Sequence, residues 1–428
     1  MHTSRLIVMT AAALAVACTP RPQGRAGAAE HRETAGATAP AGDATSAGFA
    51  DSAGMDRLAA QVVQRGLRIH RGDVVMISGG AHTIPAMEAL AIEASKAGGL
   101  QSLLLSSERV LRSELRDASE DNLRQPIRYF ADWLRSTTVY IGLPGTADPK
   151  AAFADIPESR LAILNERAAS IYDMLNGSDL RGTFIDYPSA GGAAAAGMQP
   201  GAFFRMQLAA IGADPEAMAR AGRALEARFR RAKVVHITSP GGTDLTVTLA
   251  GRPGIVDAGM LAPGAEREKL FAKRWFILPG GSFGVAPSEI SAQGVIATPK
   301  DQCKFRPVRE ARYEFSGGSL KGVTAREGEA CLKEQLEPYG AAIRRIGSIG
   351  IGLNPELKVV EDQGDYRPWN AAGLVSVFLG DNTLMGGTNK VAGAVGIGLP
   401  IPDATLEVDG QVLVRDGKLA AEVAAAQP

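Results

Sequence analysis

Residues 71–105 read RGDVVMISGGAHTIPAMEALAIEASKAGGLQSLLL, and this stretch decides the fold class. Val74 to Ile77 is a short apolar run typical of a buried strand. Pro85 to Ala97 has the pattern of a helix, with a proline suited to the first turn and two glycines after its end. Leu100 to Leu105 is the next strand. This order predicts two parallel strands joined by a crossover helix.

The same alternation continues on both sides of this unit. Helices are predicted from Met55 to Leu67, around Tyr129 to Leu134, and from Asp214 to about Arg231. A third strand is predicted from Thr138 to Leu143. Residues 50–232 are therefore expected to form an N-terminal α/β domain with an open parallel sheet.

After residue 232 the sequence changes to strands separated by glycine-rich turns, with two predicted helices at 325–336 and 340–345. Residues 233–428 are therefore expected to form a mainly antiparallel α+β domain. Its predicted strands are Lys233–Ile237, Leu245–Leu249, Trp275–Leu278, Gly294–Ala297, Arg312–Phe315, Leu374–Leu379 and a hairpin from Leu406 to Leu419.

The composition alone excludes some classes of partner and of active site. The 428 residues carry 46 basic and 46 acidic side chains, so no net charge attracts a nucleic acid, and none is expected as a partner. Only five histidines occur, and none follows His236. A site built after that residue has no imidazole, which excludes most zinc sites and most serine–histidine triads there.

The first residues predict export and a lipid anchor. Residues 1–18 read MHTSRLIVMTAAALAVAC, and their apolar run is shorter than the roughly 20 residues that span a membrane. We interpret them as a signal peptide whose end resembles a bacterial lipobox, with Cys18 as the lipidated residue. Thr19 resembles a sorting signal for the outer membrane, with the protein facing the periplasm. A plain secretory leader is the alternative.

Residues 19–49 are predicted to be a disordered tether between the lipid and the folded body. They are almost wholly Ala, Gly, Thr, Pro, Ser and charged residues, which cannot bury enough apolar area to offset the chain entropy. With Cys18 assigned, Cys303 and Cys331 are left in an oxidising compartment. One disulfide between them would stabilise the fold by roughly 3 kcal/mol, and two separate buried thiols are the alternative.

Five groups of short motifs follow one another along the chain: Arg71-Gly72-Asp73; Gly242–Leu245; Leu278–Gly281 with Pro287 and Gly294–Ile296; Gly350–Pro355; and Leu379–Asn382 with Gly386–Asn389, closed by Val408–Gly410. In this order they resemble the aminopeptidase T family of metallo-aminopeptidases. Their spacing is also similar to that of 2,5-dihydroxypyridine dioxygenase, an iron enzyme of similar architecture. The resemblance implies the same two-domain arrangement as the pattern above.

The resemblance also implies a two-metal hydrolytic site, whose ligands can be sought position by position. Each expected carboxylate, imidazole or phenol falls on a neutral residue. The dioxygenase ligands likewise fall on Ser348, Ala394 and Gly396. We therefore expect no metal and no cofactor. The positions implied for the two-metal site are Ser282, Ser348, Ser376, Thr383, Ala394 and Gly396.

Other kinds of functional site have weaker support in the sequence. Gly280 to Gly284 matches the Gly-x-Ser-x-Gly nucleophile elbow but lacks both a strand–turn–helix context and a later histidine. His82 follows the first strand, where open sheets often bind ligands, although a structural hydrogen-bonding role is the commoner one. Lys390 is the best-placed cation near the former ligands. The nearby acids are scattered in sequence and form no closely spaced cluster: Glu289, Glu356, Asp381 and Asp403.

These observations favour a binding protein over an enzyme. We expect a lipid-anchored envelope protein that binds a peptide or small ligand in the former active-site groove between the domains. One alternative is a metal-dependent aminopeptidase with atypical ligands, and another is an envelope scaffold; a homodimer is left open. The expected groove residues are Ser282, Ser348, Ser376, Thr383, Asp381, Asn389, Lys390 and Glu289.

Overall fold

The computed structural model describes residues 52–303, 306–359, 368–391 and 396–424. Its strands form three sheets. In chain order they are β1 (Val74–Gly80), β2 (Leu100–Ser106), β3 (Val139–Gly142), β4 (Arg181–Ile185), β5 (Val234–Thr238), β6 (Asp244–Thr248), β7 (Ile255–Asp257), β8 (Trp275–Leu278), β9 (Ser282–Val285), β10 (Gln293–Cys303), β11 (Arg306–Ser316), β12 (Ser319–Thr324), β13 (Ile346–Gly352), β14 (Val375–Gly380), β15 (Gly396–Ile401), β16 (Thr405–Val408), β17 (Gln411–Arg415) and β18 (Lys418–Leu419).

Most helices lie before β5. They are α1 (Ser52–Ala60), which continues as the π-helix Gln61–Gly66, α2 (Ile84–Lys96), α3 (Glu108–Asp117), α4 (Glu120–Leu123), α5 (Arg128–Ser136), α6 (Pro149–Ala152), α7 (Glu158–Asn176), α8 (Ala190–Ala195), α9 (Pro200–Ile211), α10 (Pro215–Phe229), α11 (Phe271–Arg274), α12 (Glu329–Leu336) and α13 (Ala421–Ala424). Short 3-10 turns are Ala81–Thr83, Ala265–Arg267, Glu337–Tyr339, Ala342–Arg344 and Thr383–Met385. The helix predicted at 340–345 is therefore a single 3-10 turn.

The first sheet has the order β2-β1-β3-β4-β8, and all of its strand pairs are parallel. The predicted parallel α/β sheet is confirmed. One assignment was wrong: Trp275–Leu278, which we had predicted in the mainly antiparallel region, pairs with β4 as the fifth parallel strand. A four-residue apolar run has no periodicity that distinguishes a parallel from an antiparallel strand. The division at residue 232 stays a prediction.

The amino ends of the parallel strands meet at a buried carboxylate. Asp73, just before β1, accepts hydrogen bonds from the Arg181 guanidinium, the Thr138 hydroxyl and the His70 N–H. Burial alone would raise the pKa of Asp73, but Arg181 and the other donors together lower it. The motif Arg71-Gly72-Asp73 therefore joins β1, β3 and β4.

The second and third sheets are antiparallel, as predicted. Their orders are β12-β11-β10-β6-β5-β16-β17-β18 and β15-β14-β13-β9-β7. Both contribute to one buried apolar cluster, which includes Leu245 and Ile296 of the second sheet and Phe283, Ile351 and Val377 of the third. One face of the third sheet is thus occupied by the core.

None of the helices in the described ranges is long and apolar enough to cross a membrane. The predicted signal peptide at 1–18, with Cys18, and the predicted tether at 19–49 lie outside the described residues.

Cys303 ends β10 and Cys331 lies in α12, with their Cα atoms 6.0 Å apart. Their sulfur atoms are bonded, which confirms the predicted disulfide. The bridge ties the end of the long β10–β11 hairpin to the helix after β12.

Reduction of this bridge is expected to lower the free energy of unfolding by roughly 3 kcal/mol, because the unfolded chain regains the entropy of a closed loop. Urea denaturation with and without dithiothreitol measures the difference, and the Cys303→Ser/Cys331→Ser double variant should match the reduced protein. An unchanged unfolding midpoint would contradict the expectation.

Candidate functional site

Three of the predicted groove residues share one face of the third sheet. Ser282 pairs with Gly352 and Ser376 with Gly350, while Ser348 lies two residues before Gly350 on β13. Residues that lie directly opposite each other, or two apart on one strand, point to the same side of a sheet. The structure therefore brings these serines together on what we call the serine face, opposite the apolar core.

The serine face is bordered by apolar side chains on two sides. On the β15 side, the rings of Trp369 and Phe378 lie 5.1 Å apart and pack over Gly398. On the β9 side, the methyl carbon of Met385 lies 2.9 Å from where a Cβ on Gly284 would be placed. The hydroxyls are thus set between an aromatic pair and a methionine.

Ser376 is the most deeply placed of the three serines. It is 1% exposed, and its hydroxyl has no hydrogen-bond partner among the described residues. A buried hydroxyl without a partner loses its hydration and receives nothing in return, which typically costs about 1–3 kcal/mol. Among the described residues of the serine face, the Ser376 hydroxyl is thus a buried polar group without a hydrogen bond.

Thr383 and Asp381 lie in the turn that follows β14. The Asp381 carboxylate accepts hydrogen bonds from the Thr383 N–H at 2.9 Å, the Thr383 hydroxyl at 2.6 Å and the Val391 N–H at 2.7 Å. Leu384 of the same turn packs against the apolar cluster of the first sheet that contains Phe271. The Asp381 carboxylate therefore stabilises a turn that connects the third sheet to the apolar cluster of the first sheet.

Glu289 organises the next part of the site. Its carboxylate pairs with the Arg252 guanidinium at 2.8 Å, and their side chains are only 10% and 15% exposed. It also accepts hydrogen bonds from the Asn382 amide and from both the N–H and the hydroxyl of Thr388. Burial alone would raise the pKa of Glu289, but Arg252 and these donors hold it far below its ordinary value.

Asn389 and Lys390 differ in their surroundings. Asn389 is buried, and its amide donates to the Gly380 oxygen at 2.7 Å and to the Ala342 oxygen at 2.8 Å. Lys390 is exposed. Asn389 is thus a structural residue of the loop, while Lys390 is free to reach solvent.

Two asparagines hold the segment Leu278–Gly281, one from the Gly350–Pro355 motif and one from the segment before β14. The Asn354 amide donates to the Gly280 oxygen at 2.8 Å and to the Ala210 oxygen of α9, and the Asn370 amide donates to the Pro279 oxygen. Gly281 has φ +103°, and a Cβ there would lie 2.6 Å from the Met218 sulfur. The chain can therefore reach Ser282 by this path only with glycine at that position.

Asp257 is a site residue that the sequence did not suggest. It is opposite Ser282 in the β7–β9 pair, whereas its neighbour Val256 is opposite the core residue Phe283. Its carboxylate oxygens accept the N–H of Gly259 at 2.9 Å and that of Ile277 at 2.8 Å. Burial raises the pKa of Asp257 to about 6. The serine face therefore carries one carboxylate.

The residues do not fit a metal site of the kind that the resemblance implies. Hydroxyls of serine and threonine replace the expected carboxylates and imidazoles, and Asp381 and Glu289 already hold N–H groups or a guanidinium. Within the described ranges, no three His, Cys, Asp or Glu side chains are grouped so as to hold a metal ion. Of the two remaining positions, Gly396 begins β15 and Ala394 lies outside the described residues.

His82 and His236 belong to elements other than the strands of the serine face. His82 is in the 3-10 turn after β1, where burial lowers its pKa to about 4, so its ring is neutral at neutral pH. His236 hydrogen bonds to Asp244 in the second sheet. Ser282 lies within a strand and not in a strand–turn–helix elbow, so the Gly-x-Ser-x-Gly match has no hydrolase geometry.

One surface cavity of about 420 Å³ lies elsewhere, at the second sheet. It is lined by residues of β17, β18 and the segment after them, and by none of the predicted groove residues.

The family model described as thermophilic metalloprotease (M29) matches residues 52–355, which include β7 to β9 and β13. The chain belongs to this family. The predicted resemblance to the aminopeptidase T family is thereby confirmed. No curated protein matches the chain significantly in sequence.

Two solved structures show the same fold as this M29 chain. Wild-type AmpT from Thermus thermophilus is 19% identical, with a TM-score of 0.71, over 86% of this chain and 99% of that one. The 2,5-dihydroxypyridine dioxygenase from Pseudomonas putida KT2440 is 15% identical, with a TM-score of 0.57, over 88% of this chain and 99% of that one. At these identities the likeness concerns the fold.

Replacement of Glu289 by glutamine is expected to lower the free energy of unfolding by about 3 kcal/mol at neutral pH, because Arg252 is left buried without its counter-charge. Since folding lowers the pKa of Glu289, its contribution is present above the ordinary value of 4.5 and is lost as pH falls through the lower folded value. The variant should therefore lose less stability than the native chain on acidification below about pH 4.5.

Chemical denaturation at several pH values measures this, with Glu268→Gln as the matched control. Glu268 pairs with Lys273 at the surface, where such pairs contribute about 0–1 kcal/mol. Equal effects of the two substitutions would show that Glu289 does not hold the loop.

Proposed function

We propose that this M29 protein is non-catalytic and binds a peptide or small ligand on the serine face. The chemistry of the former ligand positions supports this proposal. Hydroxyl groups neither carry the negative charge that divalent zinc requires nor lower the pKa of a water molecule as a bound metal does. They do donate and accept single hydrogen bonds, which suits the amide groups of a peptide.

The observation that carries the proposal is the unpartnered hydroxyl of Ser376. Natural cores rarely keep a polar atom that destabilises the fold, and such an atom calls for an explanation such as a bound ligand. A ligand that enters beside Ser376 and displaces the side chains covering its hydroxyl would supply the missing partner. The aromatic pair Trp369–Phe378 beside it would cover the apolar part of the same ligand.

Replacement of Ser376 by alanine is expected to leave the free energy of unfolding unchanged or raise it by about 1 kcal/mol, because a buried unpaired hydroxyl is removed. Thermal and urea denaturation measure this. The matched control is Ser78→Ala, because the Ser78 hydroxyl is also buried but is bonded to the Tyr140 hydroxyl at 2.6 Å. The control should lose stability, and an equal loss in Ser376→Ala would contradict the account of this site.

A panel of aminoacyl-p-nitroanilides tests the absence of catalysis. With the purified full-length chain and added Zn²⁺, Mn²⁺ or Co²⁺, release of nitroaniline should not exceed the rate without protein. Metal-dependent turnover that EDTA abolishes would establish the alternative, an aminopeptidase with atypical ligands.

We also propose that the protein is exported and anchored through Cys18 to the cell envelope. Its proposed location is the outer membrane, where the folded body faces the periplasm. The support is the sequence of residues 1–18 and the tether composition of 19–49. Labelled palmitate should enter the native chain and not the Cys18→Ser variant, which should be found in the soluble fraction. Equal labelling of both would overturn the anchor.

A stable envelope protein co-purifying with the anchored chain would favour the scaffold alternative.

A further inference from the structure

We propose that the outer edge of the first sheet docks on an anionic lipid surface, so that the folded body lies against the membrane that carries its anchor. This inference rests on the proposed anchoring at Cys18 and specifies how the body sits at the membrane. The observation behind it is a group of exposed apolar side chains, which we call the leucine edge: Leu100, Leu103 and Leu105 of β2, Ile92 of α2 and Val110 of α3.

The leucine edge is a continuous part of the surface. β2 is the terminal strand of the first sheet, α2 packs on it, and α3 begins shortly after it ends. Leu100 is 69% exposed, and Leu103 and Leu105 are about half exposed. Single exposed leucines are normal in a folded protein, but a group of neighbouring exposed apolar side chains marks an interaction surface.

The leucine edge lies on the side of the sheet where the chain enters the folded body. Leu103 is aligned with Ile77 of β1, which belongs to the apolar cluster formed with α1 and α2, and Leu105 lies two residues further along on the same side. α1 begins at Ser52 and packs against α2. Residues 19–51 therefore join the body on this side. A flexible chain of that length spans about 30 Å on root-mean-square average, which keeps the leucine edge near the bilayer.

The cations around the leucine edge favour an anionic partner. Arg65, Arg68 and Arg71 lie between α1 and β1, and Arg109 follows the other end of β2. The Cα atom of Arg71 lies 3.2 Å from where a Cβ on Gly98 would be placed, in the turn before β2. All four arginines are exposed, and none makes an ion pair with another described residue.

The acids of α2 and of the start of α3 offset only part of this charge. Glu93 pairs with Lys96, and Glu108 accepts the N–H of Ala147, while Glu88 is exposed. The surface thus keeps a net positive charge. Apolar side chains flanked by cations are typical of surfaces that lie in the interface of an anionic bilayer.

A second copy of the chain fits this edge less well. Two β2 strands paired in antiparallel fashion would place Arg71, before the start of one strand, near Arg109, after the end of the other, and like charges repel across such a pair. The outer backbone groups of β2, which has no further strand beside it in the described sheet, cannot enter hydrocarbon without partners. The strand therefore lies in the hydrated headgroup layer, and only its apolar side chains reach the acyl boundary.

The test follows a fluorescent label at the leucine edge of the full-length chain. In a Cys18→Ser chain the other two cysteines are bonded, so Leu103→Cys supplies a single thiol for nitrobenzoxadiazole. Vesicles of equal parts phosphatidylcholine and phosphatidylglycerol should shift its emission to shorter wavelength. Ile290→Cys is the matched control, because Ile290 is 72% exposed but lies between β9 and β10, and its label should not shift. The label reports its own surroundings, whatever holds the chain to the vesicle.

Two further comparisons test the apolar and the charged part of the surface. A label at Ile92→Cys should also shift, and the shift should be lost when Leu103→Ser/Leu105→Ser is added, because these exposed positions then gain nothing by leaving water. Adding Ile290→Ser instead should preserve the shift, and urea denaturation checks that each variant keeps its fold. Vesicles of phosphatidylcholine alone should give a smaller shift, because the arginines meet no anionic headgroups.

Four results would overturn the proposal: an unshifted label at residue 103, equal shifts at residues 103 and 290, equal shifts on the two kinds of vesicle, or a shift that survives the two serine substitutions. A dimer in sedimentation equilibrium that dissociates in Leu103→Ser/Leu105→Ser, with no label shift, would assign the edge to a second copy instead. All labelled chains lack Cys18, so these outcomes are independent of the palmitate experiment, which tests the anchor alone.

Discussion

The ion pair between Glu289 and Arg252 is the interaction on which the site depends. It neutralises a buried carboxylate, which at the same time holds Asn382 and Thr388 of the loop after β14. A carboxylate that accepts a guanidinium and several N–H groups has little affinity left for a metal ion. The same interaction therefore stabilises the loop and explains why Glu289 is unsuited to bind a metal ion.

The two faces of the third sheet differ: one packs into the core, and the other is the one on which we propose that a ligand binds. Phe283, Ile351 and Val377 close the core, and the alternation of side chains along each strand leaves the serines on the other side. The last strand of the first sheet, β8, is followed closely by β9, so the chain passes directly from the first sheet into the third. A change at this junction would affect both sheets.

Much of the fold was predictable because it rests on local patterns. The strand–helix–strand unit at 74–105 and the helix from Asp214 show their periodicity directly. The placement of β8 was not predictable, since its four residues fit either kind of sheet. The order of motifs points to the three serines, whose role as groove residues stays a prediction. Asp257 could not be found in this way, because its place beside Ser282 comes from the pairing of β7 with β9 and of its carboxylate with the N–H of Ile277, contacts between residues distant in sequence.

The central claim is that the serine face is a binding surface without a metal. Calorimetric titration of Zn²⁺ into the metal-stripped, full-length chain tests it most directly, because affinity for the ion is measured without any assumption about substrate. The account predicts no saturable binding in the micromolar range. One or two equivalents of tightly bound Zn²⁺, with affinity lowered in a Ser282→Ala/Ser348→Ala variant that keeps its fold, would contradict it.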